Sequence, residues 1–185
     1  MPIPKSILKF LDKNKIKYEI IKHRIVYTAY DKAATLGLKP QQVAKTVIIN
    51  LDNKDHALAL IPANKNLDKK KFLKIVNAWK AKQVAADSHG RIRIARDRRT
   101  SARYSRADFA KEQWMKKVLR GIKLGATPPF GVLYKLPTFI DNALTNQPKL
   151  IVNAGDYQNS LKITPAALFK LDKTVTKGSF SQAKK

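Results

Sequence analysis

The sequence predicts one domain that mixes helices and strands, and three observations predict it. A chain of 185 residues is long enough for one substantial core and short for two. Its hydrophobic content of 44% is that of a globular chain, not a disordered one. Helical and strand periodicities alternate along its length with no internal repeat and no second domain.

Ile3, Ile7, Leu8 and Leu11 fall on one face of a helix between Pro4 and Asn14. Ile16, Tyr18 and Ile20 then alternate with polar residues, the period of a half-buried strand. Thr28 and Asp31 have the spacing of a capping box, opening a short helix that Gly37 closes and Pro40 cannot continue. Val47, Ile48 and Ile49 form an apolar run without alternation, as in a strand covered on both faces. The turn cluster at 52–55 and the apolar run His56 to Pro62 make a hairpin with it.

After a polar loop at 64–68, Phe72, Val76 and Trp79 mark a helix, and a short strand is expected around Val84 to Ala86. Ser105 and Asp108 repeat the capping-box spacing, which predicts a helix carrying Phe109, Trp114, Val118 and Leu119. Val132 to Ile140 reads as a strand interrupted by Pro137, lying at an edge or carrying a bulge. Leu150 to Val152 and Leu161 to Ile163 read as strands, and Thr164-Pro165 starts a last helix. The domain is expected to span 1–172, with 173–185 as a polar, basic, disordered tail.

The charge bears most directly on function. Lysine and arginine number 38 against 13 acids, a net charge of +25, and a surface that positive attracts polyanions, nucleic acid above all. No segment is long and apolar enough for a signal peptide or a membrane span, so a soluble, cytoplasmic protein without membrane partners is expected. With no cysteine and three scattered histidines, metal and thiolate chemistry find no support and no cofactor is expected. Arg91, Arg93, Arg96, Arg98, Arg99, Arg103 and Arg106 crowd a segment at about 88–106, beside Tyr104. Arginine forks grip phosphates and stack on bases, so the cluster is either an RNA-contacting arm or a solvated insertion that only raises charge.

Two features carry chemistry. Lys45 stands at the mouth of the apolar strand, where it either snorkels past the strand end or, losing hydration, becomes a stronger partner for an anion or a polarised carbonyl. The segment Gly125-Ala126-Thr127-Pro128-Pro129-Phe130-Gly131 is a loop of fixed shape whose glycines let a ligand approach the backbone, although a structural turn would look similar.

Tyr18-Glu19, His23, Val26-Tyr27, Val43 to Val47, Ile61-Pro62, Leu67-Asp68, Gly125 to Gly131, Asp141, Val152 to Gly155 and Ile163 to Pro165 with Leu168 follow in an order and spacing that resembles the YbaK/EbsC family. These are aminoacyl-tRNA deacylases related to the editing domain of bacterial prolyl-tRNA synthetase. The resemblance runs from about residue 3 to 172. It implies a single YbaK-like mixed α/β domain around a strongly bent mixed sheet flanked by helices, which hydrolyses the ester of a mischarged tRNA of the cysteinyl- or alanyl-tRNA(Pro) type. It also implies that Lys45 is the functional side chain and that the 125–129 loop presents backbone groups to the ester.

The partners it implies are tRNA and a synthetase such as prolyl-tRNA synthetase. His23 is a candidate base or a structural histidine. Asp141 either orients Lys45 or the substrate amine, or caps the turn after its strand. Tyr27, Thr46 and Phe130 are candidate pocket residues by proximity, and each could equally belong to the core. Two departures from the family are the arginine-rich extension and the high charge. The competing function is a non-catalytic RNA-binding module that keeps the editing fold.

Overall fold

In the computed structural model, which describes residues 3–89 and 103–184, the chain is organised around the hairpin of β2 (Ala44–Leu51) and β3 (Asp55–Pro62). Asp52 and Asn53 take positive φ at its turn, and the Asn50 side chain accepts from the Asn53 amide at 2.8 Å. β3 shows why its residues do not alternate in polarity. Leu58 and Leu60 enter one core cluster while Ala57, Ala59 and Ile61 enter another on the opposite face.

Five strands share the sheet, in the order β5 (Ala107–Phe109), β2, β3, β6 (Thr138–Asp141) and β9 (Thr176–Gly178). A second sheet, β1 (Glu19–Lys22), β8 (Asn159–Ile163) and β7 (Leu150–Asn153), joins it through the parallel bridge between Val43 and Ile151. Between these sheets lies the larger core, closed by α1 (Lys5–Lys13) and by α6 (Pro165–Leu171), whose Thr164 cap accepts from Ala167 N. On the far face α3 (Lys69–His89) buries Phe72 and Val76 against Phe139 and Phe180. Truncating Phe72 to alanine there would cost about 3–5 kcal/mol.

α2 (Ala29–Thr35) begins as its spacing predicts, with Thr28 Oγ1 accepting from Asp31 N at 3.0 Å. Five other expectations are corrected. The strand expected at 84–86 is helical and belongs to α3. Ser105 caps no helix: Asp52 accepts from Ser105 N and Arg106 N, and this capture leads the chain into β5 beside β2. The helix α4 (Glu112–Val118) starts later.

The strand expected from Val132 is a 3₁₀ turn at Gly131–Tyr134, and only Thr138–Asp141 pairs. A side chain at Gly131 would collide with the Thr138 hydroxyl and the Leu136 carbonyl, so this turn admits glycine alone. The loop at 64–68 contains β4 (Lys65–Leu67), and the segment expected to be a disordered tail supplies its partner β10 (Ser181–Ala183) together with β9. Phe180, fully buried between them, explains the ordering.

Candidate functional site

Lys45 follows the 3₁₀ turn Pro40–Gln42 and the first residue of β2, so its backbone is fixed by pairing with Ile61. Its side chain is half-buried, and Nζ donates to the Lys65 carbonyl at 3.0 Å, which ties β2 to β4. Burial, and after it the nearby Lys184 ammonium, holds its pKa below the ordinary lysine value. An ammonium has three protons, and one is used here. The others are available to a ligand in the cavity beside it.

That cavity has a volume of about 280 Å³, and Lys45 shares its wall with Tyr27, Lys32, Thr46, Gly125 and Asn153. Gly125 takes φ +79°, and a Cβ there would meet nothing within 4 Å, so the glycine serves the turn and leaves the approach to its backbone open. Asn153 clamps the loop: its Nδ2 donates to the Gly125 carbonyl at 3.2 Å and to the Thr127 carbonyl at 3.4 Å. Tyr157 braces the preceding residue by donating to the Leu124 carbonyl at 2.8 Å. Ala126, expected to offer its amide to a ligand, spends it on the Lys123 carbonyl at 3.0 Å. Among the described residues the Gly125 amide has no hydrogen-bond partner, and Gly125 lines the cavity.

The sequence pointed to one lysine, and the cavity holds two. Lys32, on α2, is 4% exposed and donates to Asn153 Oδ1 at 2.5 Å. Burial pushes its pKa down to about 8, opposed by the Asp156 carboxylate. Asp156 is itself engaged by the Gln158 and Asn159 amides, both at 2.7 Å. No local pattern marks Lys32, because its burial is made by a strand 121 residues away. Thr46 also lines the cavity, and its buried hydroxyl has no hydrogen-bond partner among the described residues.

Other expected site residues lie elsewhere. His23 faces a different cavity, of about 620 Å³, lined with Ile3, Lys5 and Ile20. Its Nδ1 lies 2.8 Å from the Arg24 carbonyl, so that nitrogen carries the hydrogen, and Nε2 pairs with the Ser160 hydroxyl at 2.9 Å. Burial lowers its pKa, and it does not reach the Lys45 cavity. Thr127, Pro128, Pro129, Phe130 and Gly131 are buried, with Phe130 in the main core beside Phe10. Tyr27, by contrast, is 69% exposed at the rim, its ring edge-on to Tyr157.

Asp141 does not touch Lys45. It caps α5 (Asn142–Thr145) through Ala143 N at 3.0 Å and accepts from Phe180 N and Ser181 N at 2.9 and 2.8 Å. Its influence on Lys45 is indirect, since those amides fix β10, β10 fixes β4, and β4 supplies the Lys65 carbonyl. Tyr104, expected beside an RNA contact, is a core residue whose hydroxyl donates to Asp55 at 2.6 Å. Arg103 is exposed, and Arg106 is exposed and paired with Asp108. Arg91, Arg93, Arg96, Arg98 and Arg99 lie outside the described residues.

The fold is a mixed α/β one that solved structures share along nearly their whole length. It superposes with a TM-score of 0.68 on a structure described as that of a proposed trans-editing enzyme for prolyl tRNA synthetase, at 17% identity and 99% coverage of both chains. A protein described only as hypothetical matches with a TM-score of 0.70 at 16% identity, over 96% of this chain and 99% of that one. At such identities the likeness is one of fold. Residues 83–171 match the family described as aminoacyl-tRNA editing domain.

Proposed function

We propose that the chain is a trans-editing deacylase that hydrolyses the ester of mischarged tRNA, of the cysteinyl- or alanyl-tRNA(Pro) type. The observation that carries the proposal is Lys45 held half-buried at the wall of a small cavity, facing a loop clamped open at Gly125. Water adds to the ester carbonyl carbon. The acyl–oxygen bond then breaks, the proton passes to the departing ribose oxygen, and amino acid and tRNA separate. The neighbouring ribose hydroxyl supports that proton transfer.

Lys45 stabilises the negative charge that develops on the carbonyl oxygen, and the Gly125 amide adds a second donor. Donors fixed in advance in a partly dry site are worth more than the same donors in water. The cavity's small size suits a small amino-acid side chain, and its work lies in the cytoplasm, where charged tRNA and its synthetases are found.

The test is release of amino acid from a panel of charged tRNAs, alanyl- and cysteinyl-tRNA(Pro) included, with the wild type and Lys45→Ala. Hydrolysis of one mischarged species that disappears in the variant supports the assignment. Tight, salt-sensitive tRNA binding with no turnover on any species would make the chain an RNA-binding module on an editing fold, as its charge of +25 also allows.

A further inference from the structure

Lys45 and Val47 line the small cavity and also a second, larger one of about 800 Å³, whose wall includes β4 and the start of α3. The larger groove has the parts of a single-stranded RNA site. Phe109, at its wall, is 58% exposed, an unusual exposure for an aromatic ring on a paired strand. The ammonium of Lys69 stands 4.8 Å from the Phe109 ring centroid. The lining carries three lysines, Lys45, Lys69 and Lys70, and a single carboxylate, Asp68. Asp68 is turned towards its own helix, where it accepts from Lys71 N at 3.0 Å, and Lys69 is paired with Asp108 at 3.0 Å. Lys70 has no ion pair among the described residues. Asn66 and Gln182, register partners across β4 and β10, add two exposed amide side chains to the same groove.

We infer that this groove binds the unpaired 3′ end of the tRNA, with the small cavity reserved for the aminoacyl group and Lys45 at the junction. An exposed ring stacks on an unpaired base and has nothing to offer a duplex, whose bases are already stacked. Lys70 and Lys69 follow the phosphates, and the Asn66 and Gln182 amides meet base edges. Phe109 pairs with Ile49, four residues along β2 from Lys45, which offsets the two residues by roughly 13 Å along the strand direction. The groove therefore extends the substrate site along one strand, with the ester and the unpaired bases at opposite ends.

The inference rests on the deacylase assignment only for which RNA is bound, and the experiment separates the two. Affinity of the full chain for a 5′-labelled, uncharged RNA tetranucleotide ending in CCA is measured by anisotropy near physiological salt, with a short RNA duplex as competitor. Phe109→Ala is expected to weaken binding by about 5- to 150-fold, and Phe109→Tyr to keep it within about threefold, as loss of one base–ring stack requires. Lys70→Ala should lower the salt slope by about 1. In deacylation, Phe109→Ala should raise KM and leave kcat in place.

Equal affinity of Phe109→Ala and wild type for the tetranucleotide, or full displacement by the duplex, overturns the groove. If the wild type hydrolyses no charged tRNA yet the tetranucleotide results hold, the groove stands and the deacylase assignment falls. If hydrolysis is found while neither affinity nor KM responds to Phe109, the groove falls alone.

Discussion

The two lysines of the small cavity are held by opposite means. Lys45 sits on a strand, half-buried, with a single backbone carbonyl as acceptor, so its charge is turned towards the cavity. Lys32 sits on a helix, almost wholly buried, with its proton on Asn153, whose amide in turn holds the loop carbonyls of Gly125 and Thr127. One cation is kept available and the other is spent on shape. The contrast teaches that charge at a wall and charge in a clamp have different consequences when removed.

The largest effect should come from Lys45. Removing one donor to a developing oxyanion costs about 10²–10³ in rate, and Lys45→Ala is expected to lose that much in single-turnover hydrolysis while the circular dichroism spectrum and Tm stay near wild type. A loss of fewer than about tenfold would mean that Lys45 only borders the cavity.

Asp141 comes next, and acts on stability. Asp141→Ala removes a helix cap and leaves the Phe180 and Ser181 amides without an acceptor, a cost of about 2–4 kcal/mol. For a chain of this size that lowers Tm by on the order of 10 °C. Calorimetry checks the number, and hydrolysis per folded molecule should fall far less than for Lys45→Ala. A rate loss equal to that of Lys45→Ala in a variant of unchanged Tm would place Asp141 in the chemistry after all.

Lys32 gives an effect that depends on pH. Below about pH 8 its ammonium is charged in both the folded and the unfolded chain, and the cost of burying it is fully present. As pH rises from about 8 towards the ordinary 10.5, the folded chain releases the proton while the unfolded chain keeps it, so stability rises. The gap between the two values corresponds to a ceiling of about 3 kcal/mol. Relative to Lys32→Met, which cannot titrate, the wild type should therefore gain stability between pH 7 and 10, read from urea unfolding at each pH. Parallel curves would show that Lys32 is not buried as a charge.

These residues also show what the sequence could disclose. The address of Lys45 was legible because everything that defines it is local: the apolar run of β2, the turn before it and the hairpin after it. The loop was legible as a fixed turn, since glycine and proline declare backbone constraint, but not which of its amides was already committed. Lys32 was hidden because a lysine on a short helix reads as solvated until Asn153 is brought beside it. Ser105 and Asp108 imitate a helix cap that a distant carboxylate, Asp52, overrides. Phe180, the one aromatic residue in a polar tail, gave no periodicity to read, and its burial depends on Asp141 and the α3 face. In each miss a long-range partner reverses a local preference.

His23 supplies the smallest effect and a sharp control. A general acid or base contributes about 10²–10⁴ in rate and must reach the proton it moves. The His23 ring is tied to Ser160 and the Arg24 carbonyl, at the wall of a cavity that Lys45 does not share. Gln in its place can still pair with the Ser160 hydroxyl, so His23→Gln is expected to change deacylation by less than about threefold, under ~0.7 kcal/mol in activation free energy. The pH–rate profile should also keep its shape, because the group that disappears is not one the reaction uses. A drop of a hundredfold, or loss of one limb of the profile, would move the proton transfer from the ribose hydroxyl to His23 and require the substrate to bridge both cavities.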